Sequence, residues 1–227
     1  MSVGQLYKPK LCVGDIQMIE LKPERIHVSG RNFDTIKQEW IIVEISDDEY
    51  RMCQKAGEES WAAEKEGSEF KEGCGNTEGD PYKVERTGYL GQMAFGKAFS
   101  QPVDLVYRKY GDEYDNIIEN KTLDIKCAMR NYGMILIRHS ENGWKADIDK
   151  DIYVGSFVSK ENRELETATV VLAGYVTKEH ILEKFNNPHR AKKKGASHLN
   201  YEIPFNRMES IFDLLQHSIQ KSGMFQT

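Results

Sequence analysis

The chain has 227 residues, enough for one or two domains, and its 39% hydrophobic and 30% charged residues exclude a chain that is disordered throughout. No apolar run approaches the ~18–20 residues of a membrane span, and the N-terminus lacks the apolar core of a signal peptide, so we expect a cytoplasmic protein. The net charge of −5 is unevenly divided: residues 1–80 carry 10 Lys and Arg against 17 Asp and Glu, whereas residues 81–227 carry 21 against 19. A polyanion would therefore bind to local basic patches of the second part.

Residues 1–65 are predicted to form a small N-terminal segment of strands followed by a helix. Alternating apolar residues and the apolar run at 40–45 predict the strands. The sequence Ser46-Asp47-Asp48-Glu49 is a capping box, which predicts a helix that ends near residue 63. Residues 66–80 are rich in glycine and acidic residues, and we expect a flexible linker and a domain boundary there.

Residues 81–227 are predicted to form an α/β core with a central mixed sheet. Val84, Gly88, Gly91, Phe95 and Phe99 recur at helical spacing. Because glycine costs about 1 kcal/mol relative to alanine inside a helix, we expect another element to approach that helix face closely. Strands are predicted at 103–107, 114–118, 122–128, 132–138, 151–158, 167–176 and 201–204, and further helices after Thr177 and over 208–219. Helices that alternate with strands in this order indicate a sheet flanked by helices.

The most informative stretch is 114–128, where two alternating apolar runs flank the polar turn residues 119–121. This pattern predicts a β-hairpin. Because side chains alternate between the two faces of a strand, Asp124 and Lys126 share the polar face of the second strand. A loop with an even number of residues places Asp115 on that same face, whereas an odd loop would put its carboxylate on the apolar face. We therefore expect two carboxylates and an ammonium group on one side of the hairpin.

Like charges that face each other across two strands are destabilising, so a paired cation would explain this arrangement. Asp115, Asp124 and the carbonyl of Ile125 offer oxygen ligands, which suit Mg²⁺ or Mn²⁺ rather than zinc. Lys126 would assist an attacking water or stabilise charge on a phosphoryl oxygen. The alternative is a solvated polar face of an amphipathic hairpin, in which a charged pair contributes about 0.2–1 kcal/mol.

The order of these motifs resembles the PD-(D/E)XK nuclease superfamily, in particular its small phage and bacterial members. The resemblance runs over roughly residues 82–205 and is carried by the helix VERTGYLGQMAFGKAF and by the dipeptide YD, which eight residues separate from the tripeptide DIK. It implies a restriction-endonuclease-like core, Mg²⁺- or Mn²⁺-dependent hydrolysis of DNA phosphodiester bonds, and endonuclease activity. Because cutting both strands of a duplex needs two sites, it also implies a possible homodimer.

The resemblance also implies roles for individual residues. Asp115 and Asp124 would be metal ligands and Lys126 the catalytic lysine. The glutamate that the family carries on its helix falls on Gln92, which has no negative charge. Glu85 lies seven residues earlier, on nearly the same helix face, and could take the place of that glutamate.

A basic loop is the expected contact for the DNA backbone, since it gathers Arg190, Lys192, Lys193 and Lys194 between proline and glycine residues. A solvated surface loop is the alternative reading of this run. Two other functions stay open for the chain. The neutral Gln92 favours a catalytically silent protein that binds nucleic acid or a protein partner. The acidic segment 44–80 would instead suit an interaction protein that docks on a basic partner.

Overall fold

The computed structural model describes residues 7, 16–21, 25–28, 31–34, 38–67, 80–106, 114–130, 133–139, 148–185, 189–190 and 199–222. The strands are β1 (Ile16–Leu21), β2 (Arg25–Val28), β3 (Arg31–Asp34), β4 (Gln38–Ile45), β5 (Asn116–Ile118), β6 (Lys121–Ala128), β7 (Met134–His139), β8 (Ile152–Asn162), β9 (Thr167–Thr177), β10 (His189–Arg190) and β11 (Leu199–Pro204). The helices are α1 (Asp47–Gly67), α2 (Lys83–Phe99), α3 (Lys178–Lys184) and α4 (Ile211–Ser222), and a short 3₁₀ helix spans Phe205–Arg207.

A six-stranded sheet with the order β1-β4-β9-β8-β6-β5 forms the centre of the molecule. Strands β6 and β8 run parallel, and the other neighbouring strands of this sheet run antiparallel. Strands β10, β11 and β7 form a three-stranded sheet, and β2 pairs with β3. The expected α/β class with a central mixed sheet flanked by helices is confirmed.

The central sheet buries a hydrophobic core on each face. On one face, Ile41 and Leu172 pack against side chains of α1, α2 and α4. On the other face, their sequence neighbours Trp40 and Val171 pack against β7, β11 and α3. This division follows from the alternation of side chains along β4 and β9. None of the described helices is long and apolar enough to cross a membrane.

Residues 38–67 belong to the same core as the residues that follow them. Strand β4 pairs with β9 inside the central sheet, and Tyr50 and Cys53 of α1 pack in the cluster that contains the buried face of α2. The expected boundary at 66–80 therefore does not separate two hydrophobic cores. Residues 66 and 67 are the last of α1, and residues 68–79 of the expected linker lie outside the described part of the chain.

The starts of α1 and α3 have capping interactions from the Ser46 and Thr177 side chains. The Glu49 carboxylate accepts hydrogen bonds from the Ser46 backbone N–H at 2.9 Å and from the Ser46 hydroxyl at 3.0 Å, and the Glu49 N–H donates to Ser46 Oγ at 3.4 Å. The Thr177 hydroxyl accepts from the His180 N–H at 3.2 Å at the start of α3. Local side-chain chemistry therefore sets these helix ends.

Two expected elements differ from the structure. Residues 104–106 are not in a strand, and Val103 forms only an isolated bridge with Tyr7. The short apolar run at this point indicates a strand, but residues 104–106 pair with no strand in the described part of the chain. The last helix begins at Ile211 instead of residue 208, because the 3₁₀ helix and an extended Met208 come first.

Candidate active site at the β5–β6 hairpin

The hairpin has a two-residue loop formed by Glu119 and Asn120. Their φ angles are 52° and 63°, as a type I′ turn requires at both central positions. Ile118 therefore pairs with Lys121, and Asn116 pairs with Leu123. The loop has an even number of residues, as expected. Because Asn116 pairs with Leu123, the preceding residue Asp115 lies opposite Asp124.

The hairpin and α2 bring four polar side chains together. Asp115 Oδ2 accepts a hydrogen bond from the backbone N–H of Ile125 at 2.6 Å, and Asp115 Oδ1 accepts from Gln92 Nε2 at 2.8 Å. Asp124 Oδ2 lies 2.7 Å from Lys126 Nζ. The expected convergence of Asp115, Asp124 and Lys126 is present, and Gln92 joins it from the helix.

A close contact between α2 and β6 places Gln92 at the site. A Cβ atom at Gly91 would lie 2.5 Å from Cys127 Cβ and 3.2 Å from Ser156 Oγ, so only glycine fits at this crossing. This is the close approach that the helix glycines predicted, although it applies to Gly91 alone, since a Cβ at Gly88 meets nothing within 4 Å.

Ser156 on β8 supports the neighbouring strand β6, and the sequence pattern did not identify this residue. Its side chain is fully buried, and its hydroxyl donates to the backbone carbonyl of Lys126 at 3.1 Å. A hydroxyl within the apolar run IYVGSF was the available signal, because a buried polar group needs a hydrogen-bond partner.

The surroundings of Asp115 favour its protonated form. Burial raises the pKa of Asp115, the charge of Asp124 raises it further, and the result is a pKa of about 7 despite the opposing effects of the Ile125 N–H and Lys126. The causes include a side-chain hydrogen bond between the two carboxyl groups. Near neutral pH Asp115 is therefore partly protonated, and a bound cation would favour the ionised form of both carboxyl groups.

These residues fit a Mg²⁺ or Mn²⁺ ion. The two carboxyl groups belong to residues that lie opposite each other across the hairpin, and both are oxygen ligands of the kind that these cations prefer. The N–H and C=O of a strand residue point toward the same neighbouring strand, so the Ile125 carbonyl faces the side on which Asp115 lies. The described residues include no group of three or more His, Cys, Asp and Glu side chains placed to hold a metal. Mg²⁺ is commonly bound by one or two carboxylates and several waters, so this donor set suffices.

The other candidate residues lie away from the carboxylate pair or outside the described part of the chain. Glu85 is in the first turn of α2, seven residues before Gln92, which places it about 10 Å farther along the helix axis. Arg190 lies in β10, and its side chain is not described. Lys192, Lys193 and Lys194 lie outside the described residues.

Comparison with known proteins adds no further constraint. No protein-family model, no curated protein and no solved structure matches this chain.

Proposed function

We propose that this chain is a Mg²⁺- or Mn²⁺-dependent DNA endonuclease with a restriction-endonuclease-like core. The observation that carries the proposal is the placement of Asp115 opposite Asp124 on a hairpin that also presents Lys126. Two carboxylates and a lysine at this spacing match the motif of the PD-(D/E)XK nucleases, and the preceding helix α2 supplies a further polar side chain, Gln92.

Asp115 and Asp124 are the residues that would hold the cation. When bound, the cation would act as a Lewis acid toward a phosphoryl oxygen and would lower the pKa of an attacking water. Lys126 keeps its ammonium group beside Asp124 with 39% of its side chain exposed, so the group can also reach a substrate phosphate. There it would donate a hydrogen bond to an oxygen that gains negative charge during hydrolysis.

The β-sheet keeps these groups in fixed positions. The Asp115 carboxylate is held from two directions, by the Ile125 N–H and by the Gln92 amide. Asp124 and Lys126 lie on a strand that pairs with β5 on one side and β8 on the other. Catalytic groups that are fixed before the substrate binds need no rearrangement during the reaction.

Cleavage of single-stranded, duplex and branched DNA by the full chain tests this function, with Mg²⁺, with Mn²⁺ and with a chelator. We expect metal-dependent cleavage that Lys126→Met reduces about 10²–10³-fold, the usual effect of removing one group that stabilises charge. Lys121→Met is the matched control, because Lys121 is an exposed lysine of the same hairpin. Lack of cleavage of all three DNAs by the unmodified chain, or equal activity of the two variants, would refute the proposal.

A catalytically silent nucleic-acid-binding protein is the second candidate, and the neutral amide of Gln92 beside Asp115 favours it. Such a protein would bind labelled DNA in a fluorescence anisotropy titration and leave it intact at any Mn²⁺ concentration. Binding that is unchanged in Lys126→Met, together with the absence of cleavage, would identify this second function.

A further inference from the structure

Gln92 faces Asp115 through its amide nitrogen. Nε2 donates a hydrogen bond to Asp115 Oδ1 at 2.8 Å, because an amide nitrogen is a donor only. The amide oxygen therefore points away from the Asp115 carboxylate, and the nitrogen that faces it is a donor and not a cation ligand. The contact supplies orientation to Asp115 without adding negative charge to the site.

The helix holds Gln92 firmly in this position. Leu90 and Met93 are 1% and 0% exposed in the core, and Gly91 lies directly against β6. A residue between such neighbours cannot move toward or away from the hairpin without a shift of α2. The helix backbone thus holds the Gln92 side chain within hydrogen-bond reach of Asp115.

The charges at the site favour one divalent cation over two. Asp115 and Asp124 carry two negative charges when ionised, and Lys126 carries one positive charge, so their sum is −1. One divalent cation changes the sum to +1, whereas two would change it to +3 next to the Lys126 ammonium. Repulsion of this kind grows in a partly buried site, where the effective dielectric constant is lower than in water.

We propose that Gln92 is a positioning residue that orients the Asp115 carboxylate toward a single divalent cation bound by Asp115 and Asp124. This inference rests on the proposed metal-dependent function. It differs from the arrangement in two-metal phosphodiesterases, in which a pair of ions stabilises the attacking and the leaving oxygen. A neutral helix residue leaves this site with the charge for one ion only.

Calorimetric titration of the metal-free full chain with MnCl₂ tests the number of ions and the role of Gln92. We expect one Mn²⁺ per chain, and an affinity about 10–100-fold lower in Gln92→Met, because loss of a group that orients a ligand typically has an effect of this size. Gln54→Met is the matched control, since the Gln54 amide donates to the Glu58 carboxylate at 3.0 Å on α1. Two Mn²⁺ per chain, or equal affinities in the two variants, would overturn the inference.

A second measurement on the metal-free protein tests the hydrogen bond itself. In ¹⁵N-labelled chain, the Gln92 side-chain amide is the signal that disappears in Gln92→Met, and we expect one of its protons to resonate downfield of the other glutamine amides. Asp115→Ala should move that proton back to the ordinary range. A Gln92 signal that does not respond to Asp115→Ala contradicts the positioning role.

The outcomes separate this inference from the proposed function. If the wild-type chain binds no Mn²⁺ and cleaves no DNA, the single-ion site and the metal-dependent nuclease are both refuted. If one Mn²⁺ binds and DNA is cleaved, but neither the Gln92 amide signal nor the Mn²⁺ affinity depends on the Gln92–Asp115 pair, the positioning role alone is refuted.

Discussion

Replacing Gly91 by alanine tests whether the contact between α2 and β6 holds the site together. The new Cβ would lie 2.5 Å from Cys127 Cβ, whereas carbon atoms in ordinary contact are about 3.5–4.0 Å apart. Cys127 lies on a strand of the central sheet, so the helix has to give way by roughly 1 Å. The substitution therefore moves Gln92 away from the hairpin.

The expected losses can be worked out from this displacement. Overpacking in a core costs about 1–3 kcal/mol, and the better helix propensity of alanine returns about 1 kcal/mol, so we expect a net destabilisation of about 0–2 kcal/mol. A shift of roughly 1 Å also stretches the 2.8 Å contact between Gln92 and Asp115 past the ~3.2 Å limit of a hydrogen bond. We therefore expect the Mn²⁺ affinity to fall about 10–100-fold.

Urea unfolding and Mn²⁺ titration of Gly91→Ala measure both effects, with Gly88→Ala as the control on the same helix. A Cβ at Gly88 meets nothing within 4 Å, so this variant gains helix propensity alone and should be up to about 1 kcal/mol more stable than wild type. If Gly91→Ala is as stable as Gly88→Ala and keeps its Mn²⁺ affinity, the reasoning about this contact is wrong.

Three further substitutions test other parts of the structure by urea unfolding. The pKa of Asp115 is raised to about 7 in the metal-free folded protein, so the folded state binds more protons than the unfolded state between pH 4 and 7, and its free energy of unfolding should fall by roughly 2–4 kcal/mol over this range. Asp115→Asn should remove this loss, and a variant with the same pH profile as wild type would contradict the prediction. The Arg86 side chain is 4% exposed and pairs with two carboxylates, so Arg86→Met should lower the free energy of unfolding by about 3–5 kcal/mol. The Arg51 side chain is 47% exposed, so the control Arg51→Met should lower it by only about 0–1 kcal/mol. Ser46→Ala removes a cap of α1 and should cost about 1 kcal/mol; no measurable change would mean that the Glu49 contacts alone hold the helix start.

The hairpin could be predicted from the sequence because its information is local. The period-two pattern of Leu123, Ile125 and Cys127 fixes which face is apolar, and the polar face then requires an even loop. The capping box at Ser46 is equally local in the hydrogen bonds that join residues 46 and 49. The Glu49 carboxylate also accepts from Lys97 at 2.8 Å, and this long-range contact could not be predicted from the box.

The position of β4 could not be predicted in the same way. Its apolar run indicates a buried strand, but the run does not indicate which strand pairs with it. The partner, β9, is distant in the sequence, since Ile41 pairs with Leu172. The acidic stretch that follows α1 suggested a boundary for the same reason: composition describes a segment and does not reveal its long-range contacts. The core therefore includes a strand that composition had assigned to a separate segment.

The Gln92–Asp115 contact shows a similar limit at the site. Helical spacing identified a close approach at the two glycines, but it could not tell which of them touches the sheet. That choice depends on the angle at which α2 crosses β6, which is a property of packing. Only the structure shows that the crossing lies at Gly91 and so brings the next residue to the carboxylate.

The parallel pairing of β6 with β8 connects the six-stranded sheet to the three-stranded sheet of β10, β11 and β7. The chain between these strands has to travel back along their length, and β7, which lies on that return path, pairs with β11 from a much later part of the sequence. A chain that stops before residue 199 lacks β11 and leaves Tyr153 and Phe157 of the central sheet without part of their cover. Neither of these two sheets is formed by one contiguous segment of the chain, so both should unfold together in a single cooperative transition.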